Sequence, residues 1–391
     1  MATGVRWQPP RLRGPEDDAE AREATWLELV YDLVFVVAVS ELARRLEEAI
    51  SWHAVATFGL LFVPLWWVWM SSRLYNDRFA RDDLGQRLLT FLQLLPVAGL
   101  DLTIGQATGA RLRGFVLSYL LARAILIALW LRSGRAVPAA RPLTTRLAIG
   151  SAVGLLPWGL SLVVPAPGRY GLWALGSAVD LLTPLTTFGL QARLPRLDPK
   201  RLPERYRVFI VIVLGEAVAG AIRAVAASHR LPLLSGALAL AIAFGLGWAC
   251  FDGPLGRPGR GGWRGTAAGY LLLPLASLIT ALGAGITDVV TQGGEVPAAA
   301  GRWLACGALA VALLALAGLD VALAPPRRCA GGAFQAGAIR VAAAGLALVV
   351  GGLGSGVAAA GLVGLLALVV AAQTLLGLGA LPLPQFADRP S

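Results

Sequence analysis

Long apolar blocks recur along almost the whole chain, separated by short stretches bearing arginine, glycine or proline, and they constrain this sequence more than any other feature. A helix needs ~20 predominantly apolar residues to cross ~30 Å of hydrocarbon, because each residue advances the axis by only ~1.5 Å. Blocks of that kind read at residues 26–43, 53–72, 88–106, 112–131, 145–164, 170–190, 207–227, 233–251, 265–286, 302–324, 338–356 and 359–380. The last two form one tract that is too long for a single crossing, with a break at Gly354-Ser355-Gly356. Of the 391 residues, 57% are hydrophobic and 15% charged, whereas ordinary soluble domains carry ~25% charge. The fold class expected is an all-α integral membrane protein with about twelve transmembrane helices.

The basic residues set the orientation. Counting arginines at the span edges, the loops after spans 2, 4, 6, 8 and 10 carry 20 Lys and Arg, and the other loops carry 8. The positive-inside rule then places the first set, and both termini, in the cytoplasm, with the protein in the cytoplasmic membrane. The expected organisation is a cytoplasmic tail over 1–25, a six-helix half over 26–192, a basic linker over 193–206, a second six-helix half over 207–380 and a tail over 381–391. An internal echo suggests that the halves are copies. Trp66-Trp67-Val68-Trp69 ends span 2 and Trp248-Ala249-Cys250-Phe251 ends span 8, while Leu94-Leu95-Pro96-Val97-Ala98 in span 3 matches Leu272-Leu273-Pro274-Leu275-Ala276 in span 9. Six helices lie between equivalents, so the duplication is parallel, an arrangement found in transporters. Chance similarity among Leu-rich helices is the alternative.

Several function classes are disfavoured. A net charge of +11 could suit nucleic acid, but the basic residues sit between apolar blocks rather than along one soluble face. Cys250, Cys306 and Cys329 show no paired spacing, and His53 and His229 are the only histidines, so neither a metal site nor haem is expected. There is no Walker-type phosphate loop, and no cofactor is expected. Residues 1–25 lack the apolar core and cleavage signal of a signal peptide.

Ionisable residues within the spans carry the functional reading, since each costs ~2.5–3.5 kcal/mol at a helix centre on insertion scales. Glu28 and Asp32 lie four apart on one face of span 1. Glu216 falls near the middle of span 7, with Ala219, Gly220 and Arg223 on its face. Arg123 in span 4 and Asp180 in span 6 lie at similar depth and invite pairing. These five, Glu28, Asp32, Arg123, Asp180 and Glu216, are the expected ion or substrate pathway; a static network that only fixes helix packing is the alternative. Loop 2–3, residues 73–87, mixes both signs densely, and Asn76, Arg78, Asp82 and Asp83 mark it as a candidate gate; a solvated connection is the plainer reading.

Span 1 (WLELVYDLVFVVAVSEL), the end of span 2 with its loop (LWWVWMSSRLYNDRFARDDLGQRLLTF), span 4 (YLLARAILIALWLR) and span 7 (ERYRVFIVIVLGEAV) together resemble the bacterial low-temperature-requirement A family, over roughly residues 24–380. The resemblance implies importance for Glu28, Asp32, Asn76, Arg78, Asp82, Asp83, Arg123 and Glu216. The sequence departs from the family pattern in span 9, where Leu272-Leu273-Pro274-Leu275 lacks a histidine and Asp288 stands where an acidic residue closes the helix. The family's name describes a growth requirement, so the resemblance informs the fold more than the chemistry. The function expected is secondary transport of a small solute or ion between the two halves, with proton coupling through Asp32 and Glu216 and with Arg123 and Asp180 as counter-charges. The alternatives are a membrane enzyme or lipid-handling protein working at the headgroup level by carboxylate acid–base chemistry, and a scaffold needed in the cold. The partners expected are the lipid bilayer, a small solute or ion, and further copies of the chain as an option; nucleic acid is not expected.

Overall fold

The structure is a computed structural model and describes residues 9–13, 26–79, 84–195, 201–227, 233–291, 296–325 and 331–379. Among these residues there is no strand, and the backbone is gathered into twelve long helices. They are α1 (Trp26–Glu48), α2 (Trp52–Arg78), α3 (Leu84–Ile104), α4 (Leu112–Ala136), α5 (Arg141–Leu160), α6 (Gly168–Leu182), α7 (Arg201–Ala227), α8 (Leu233–Phe251), α9 (Gly262–Thr291), α10 (Ala299–Ala322), α11 (Gly331–Leu353) and α12 (Ala359–Gly379). Each takes up one apolar block. Helices are the natural solution for such blocks, because every backbone N–H and C=O is satisfied within the segment and none is left to the hydrocarbon.

Nine of the described helices are long and apolar enough to cross a membrane. The other three fall short for visible reasons. Helix α1 carries Glu28, Asp32 and Glu41, α5 carries Arg141 and Arg146, and α6 is only 15 residues long. The protein is a multi-pass helical membrane protein, and its lateral surface fits that setting. Leu33, Leu102, Phe244 and Leu368 are 64%, 70%, 68% and 67% exposed, which would be costly in water and is expected against lipid. Polar groups are instead turned inwards: Asp32, Arg73, Arg123, Asp180, Asp320 and Arg340 are all buried.

Two helix ends depart from the expected spans. Helix α2 runs to Arg78, past the expected end at residue 72. Neither Gly nor Pro interrupts residues 65–84, and Arg73, Tyr75, Asp77 and Arg78 all find buried positions on the added turns. Helix α6 stops at Leu182, before the expected residue 190. Pro184 cannot donate to the α-ladder and its ring blocks the preceding carbonyl, so the chain tightens into a 3-10 stretch, Thr183–Thr187, followed by the single turn Phe188–Gln191. The long final tract breaks at Gly354–Gly356, also as a 3-10 turn.

The helices fall into two compact units: Met1–Leu46, Trp52–Arg205 and Gly261–Trp263 form the first, and the rest of the chain forms the second. In the first unit α2 packs against α4 and α6, while α3 packs on α4, α4 on α5 and α5 on α6. Its interior is aromatic, with Trp66, Trp69, Trp158 and Trp173 fully buried. Trp158 stacks on Trp173 with centroids 5.1 Å apart, and Tyr119 lies 4.3 Å from Trp158. In the second unit α8 packs on α12, and α11 packs on both α10 and α12. Small residues bring α9 close to α7 and α10: a Cβ added at Gly283 would lie 2.9 Å from the Cα of Ala217, and one added at Gly285 would lie 2.8 Å from the backbone N of Ala305. Glycine lets these backbones approach where lipid supplies no hydrophobic drive between helices.

Candidate functional site

On α2, Trp69 and Arg73 are four residues apart and so project from one face. Both donate to the same oxygen, Oδ1 of Asp32 on α1, at 2.8 Å from the indole Nε1 and 2.5 Å from Nη2 of the guanidinium. The Arg73 guanidinium also lies 5.3 Å from the Tyr31 ring centroid and 5.9 Å from that of Trp69, where the ring faces favour a cation. Glu28, one turn before Asp32, pairs with Arg205 at 2.5 Å, and its backbone carbonyl accepts from Arg73 at 3.1 Å. The two acidic residues of span 1 therefore share a face but hold different arginines. Neither Arg73 nor Arg205 stood out in the sequence, because both were read as loop residues.

Arg123 and Asp180, expected to pair, do so. Helix α4 brings the guanidinium to the Asp180 carboxylate of α6, Nη2 donating to Oδ1. The carboxylate's other oxygen accepts from the Tyr119 hydroxyl at 2.7 Å. Arg123 also donates to Ser71 Oγ at 3.0 Å and to Ser151 Oγ at 2.9 Å, so the cluster ties α2, α4, α5 and α6 together. Glycine makes the approach of α5 to α6 close enough: a Cβ at Gly154 would lie 3.1 Å from the Asp180 carboxyl. Beside this cluster is a cavity, with about 60 Å³ in which the centre of a water molecule can move. A few waters or a small solute fit such a space. Arg123, Asp180, Ser71 and Ser151 line it together with apolar groups such as Leu126 and Leu147, and Arg78, on the last turn of α2, also lines it. Arg78 Nη1 donates to the Pro195 carbonyl at 2.7 Å. Asn76 is half-buried on the same turn. Asp82 and Asp83 lie outside the described residues.

Glu216 belongs to the second unit. Its carboxylate accepts from Arg223 of the same helix at 2.7 Å, and Arg223 also reaches Glu47 at 3.3 Å. Arg223 is near the end of α7 and its side chain is 46% exposed. A further buried cluster went unread from the sequence: Asp320 on α10 pairs with Arg340 on α11 and, at 3.1 Å, with Arg257 in the α8–α9 turn. Burial pushes the pKa of the Arg257 guanidinium down, which the Asp320 carboxylate opposes. Arg340 also donates to the Ala249 carbonyl at 2.9 Å. The signal was available in the sequence, since an acid and a base lie within adjacent spans. A cavity in the second unit is small, about 10 Å³ by the same measure, and no polar side chain lines it. Among the described residues, no group of three or more His, Cys, Asp or Glu is placed to hold a metal ion, and Cys250 and Cys306 are buried free thiols.

Every carboxylate nominated for the pathway within the described residues thus holds an arginine, and one pair, Arg123–Asp180, borders a cavity. Residues 23–378 match the family model described as bacterial low temperature requirement A protein. An uncharacterized protein of Rhizobium meliloti (strain 1021) is 24% identical over 212 residues, which cover 52% of this chain and 51% of that protein, so the match spans about half the relative's length. No solved structure matches. With nearly its whole length matched, the chain belongs to the bacterial low temperature requirement A family.

Proposed function

We propose that this protein is a secondary transporter of a small polar solute, with twelve membrane crossings and both termini in the cytoplasm, and that the first unit's cavity is the solute site. The observation that carries this reading is a space lined by a buried arginine, a carboxylate and two hydroxyls, inside helices whose outward faces are apolar. Polar groups held at membrane depth are expensive, and they ordinarily line substrate or ion paths. The two units are read as six-helix copies; in support, Pro96 and Pro274 each stand twelve residues after the first residue of their helices, α3 and α9. The outer faces of the twelve helices meet the lipid, and further copies of the chain are an option there.

Proton coupling takes a restricted form in this reading. Asp32, Asp180 and Glu216 each hold an arginine, so a proton reaches one of them only when its pair opens. Coupling then amounts to partner exchange within the helix bundle rather than titration of a free carboxyl. Flux in proteoliposomes tests the proposal, using labelled organic acids, amino acids, sugars and inorganic ions with a pH-sensitive dye inside. At least one solute should accumulate above protein-free vesicles. Leu147→Trp, which fills the cavity without touching the ion pair, should stop that flux while the protein still melts cooperatively. If no solute moves, or if the filled variant transports as well as the parent, the reading fails.

A further inference from the structure

We propose that the first unit's cavity is a site for a small oxyanion, a carboxylate or a phosphate, held by Arg123, Ser71 and Ser151. This deepens the transport reading and depends on it for its biological role. The chemistry follows from which hydrogen-bonding capacities are already used. The Asp180 carboxylate is engaged at both oxygens, by Arg123 at Oδ1 and by Tyr119 at Oδ2. Its charge is matched by the guanidinium beside it, so it has little left to offer a cation. The donors are less fully used. Ser71 and Ser151 each accept from Arg123, and each keeps its own hydroxyl proton. Among the described residues neither hydroxyl finds an acceptor. Arg123 is 2% exposed, and its Nε–H has no partner among the described residues. Such a donor is costly to leave unmet.

Charge points the same way. Arg78 and Arg123 line the cavity with one carboxylate, Asp180, between them, and the neighbouring Asp77 is not among the lining residues. The lining therefore carries a formal excess of one positive charge. A cation would meet that charge and a carboxylate already bound twice. An acceptor-only group would meet two hydroxyl donors and a net attraction. Of the other polar side chains that line the cavity, Thr183 donates to the Val179 carbonyl at 2.7 Å, and Gln191 donates to Thr187 at 2.8 Å. The apolar remainder of the wall, with Leu126 and Leu147, favours a compact anion or one with a short hydrocarbon part.

Thermal melting of the full chain in detergent tests this, with acetate and inorganic phosphate titrated separately at constant ionic strength and with sodium or choline as the counter-ion. One of the two anions should raise the melting temperature with saturation, equally for either cation. Ser71→Ala/Ser151→Ala should raise the half-saturating concentration at least tenfold, while Ser71→Thr/Ser151→Thr, which keeps both hydroxyls, should stay within about threefold of the parent. If the alanine pair does not purify, the cavity-filling Leu147→Trp must abolish the shift instead. Saturation by acetate alone identifies a carboxylate, and by phosphate alone an inorganic oxyanion. No saturable shift with either anion means that water alone meets these donors, and the inference is wrong. It is equally wrong if the shift follows the cation, or survives unchanged in the alanine or tryptophan variants. Vesicle flux separates this outcome from failure of the transport reading. Saturable binding without flux of any solute leaves the anion site standing and removes transport, whereas solute flux that is insensitive to both serines leaves transport standing and removes the anion site.

Discussion

Removing the charge from Asp32 and from Glu216 should have very different consequences, because their arginines differ in access to solvent. Arg73, which holds Asp32, is 1% exposed. Asp32→Asn keeps an oxygen for Trp69 but leaves the guanidinium without a counter-charge, and breaking a buried pair from one side costs ~3–5 kcal/mol. We expect a large fall in melting temperature in detergent. Asp32→Leu/Arg73→Met should recover most of it, since replacing both partners by apolar groups is often neutral. A double variant no more stable than Asp32→Asn would show that the pair does more than balance charge. Glu216→Gln faces a partner whose side chain is 46% exposed. Arg223 can extend towards the headgroups and keeps Glu47 at 3.3 Å, so after discounting for exposure the loss should be below ~1 kcal/mol. A fall as large as that of Asp32→Asn would mean that Arg223 has no access to water. The sequence made the acidic members of these pairs legible, because a carboxylate inside an apolar block stands out. It made two basic partners legible: Arg123, which lies mid-block, and Arg223, which shares the face of Glu216 and pairs with it. Arg73 and Arg205 sit where the apolar pattern fades, and which arginine reaches which acid depends on helix crossings that the pattern does not encode.

At the scale of elements, the close crossing of α5 and α6 positions Asp180. A Cβ at Gly176 would lie 2.5 Å from Trp158 Cδ1 and 2.8 Å from the Gly154 carbonyl oxygen. Gly176→Val must therefore push Trp158 or the α5 backbone aside. Trp158 packs on Tyr119, whose hydroxyl donates to Asp180, so the displacement reaches the ion pair. The variant should melt several degrees lower and bind anions more weakly. Gly171→Ala, on the same helix with nothing within 4 Å of the added carbon, should be neutral or gain up to ~1 kcal/mol from better helix propensity. Equal losses in the two variants would mean that α6 is sensitive along its whole length, not only where it meets α5. The helices themselves were legible because each needs its own apolar block. Their ends were less so. Charge at Arg73, Asp77 and Arg78 suggested a loop, yet the missing Gly and Pro allowed the α2 ladder to continue while the buried interior received those side chains. The early stop of α6 was legible in principle from Pro184, whose effect on the ladder is local and needs no tertiary information.

For the molecule as a whole, charge and repetition speak with unequal force. Between Asp101 and Asp180 the chain has no acidic residue, so the arginines of α4 and α5 are uncompensated along their own stretch, and Arg135, Arg141 and Arg146 are exposed around the α4–α5 turn. That concentration makes the proposed orientation a strong electrostatic statement. The repeat is less even. Pro96 and Pro274 hold the same place in α3 and α9, but Trp67 is buried at 4% while its counterpart Trp248 is 40% exposed, and α2 continues well past its Trp run where α8 ends soon after. Copies that diverge in this way would keep a backbone bend while reassigning a side chain from core to lipid. Helix α5 is the sharpest place to test the crossing count, because Arg146 and its hydroxyl residues keep it below the apolarity of the nine clearest spans. Its two ends offer exposed alanines, Ala139 before it and Ala166 after it. In a chain with Cys250, Cys306 and Cys329 replaced by serine or alanine, Ala139→Cys should react with a membrane-impermeant maleimide only in inside-out vesicles. Ala166→Cys should react only in intact spheroplasts. Reaction of both from the same face would mean that α5 does not cross and that every later helix is inverted relative to the charge rule. Exchange of the two faces would keep α5 as a span but reverse the whole protein, leaving the basic α4–α5 turn outside against the charge bias. Only the first pattern is compatible with twelve crossings and cytoplasmic termini.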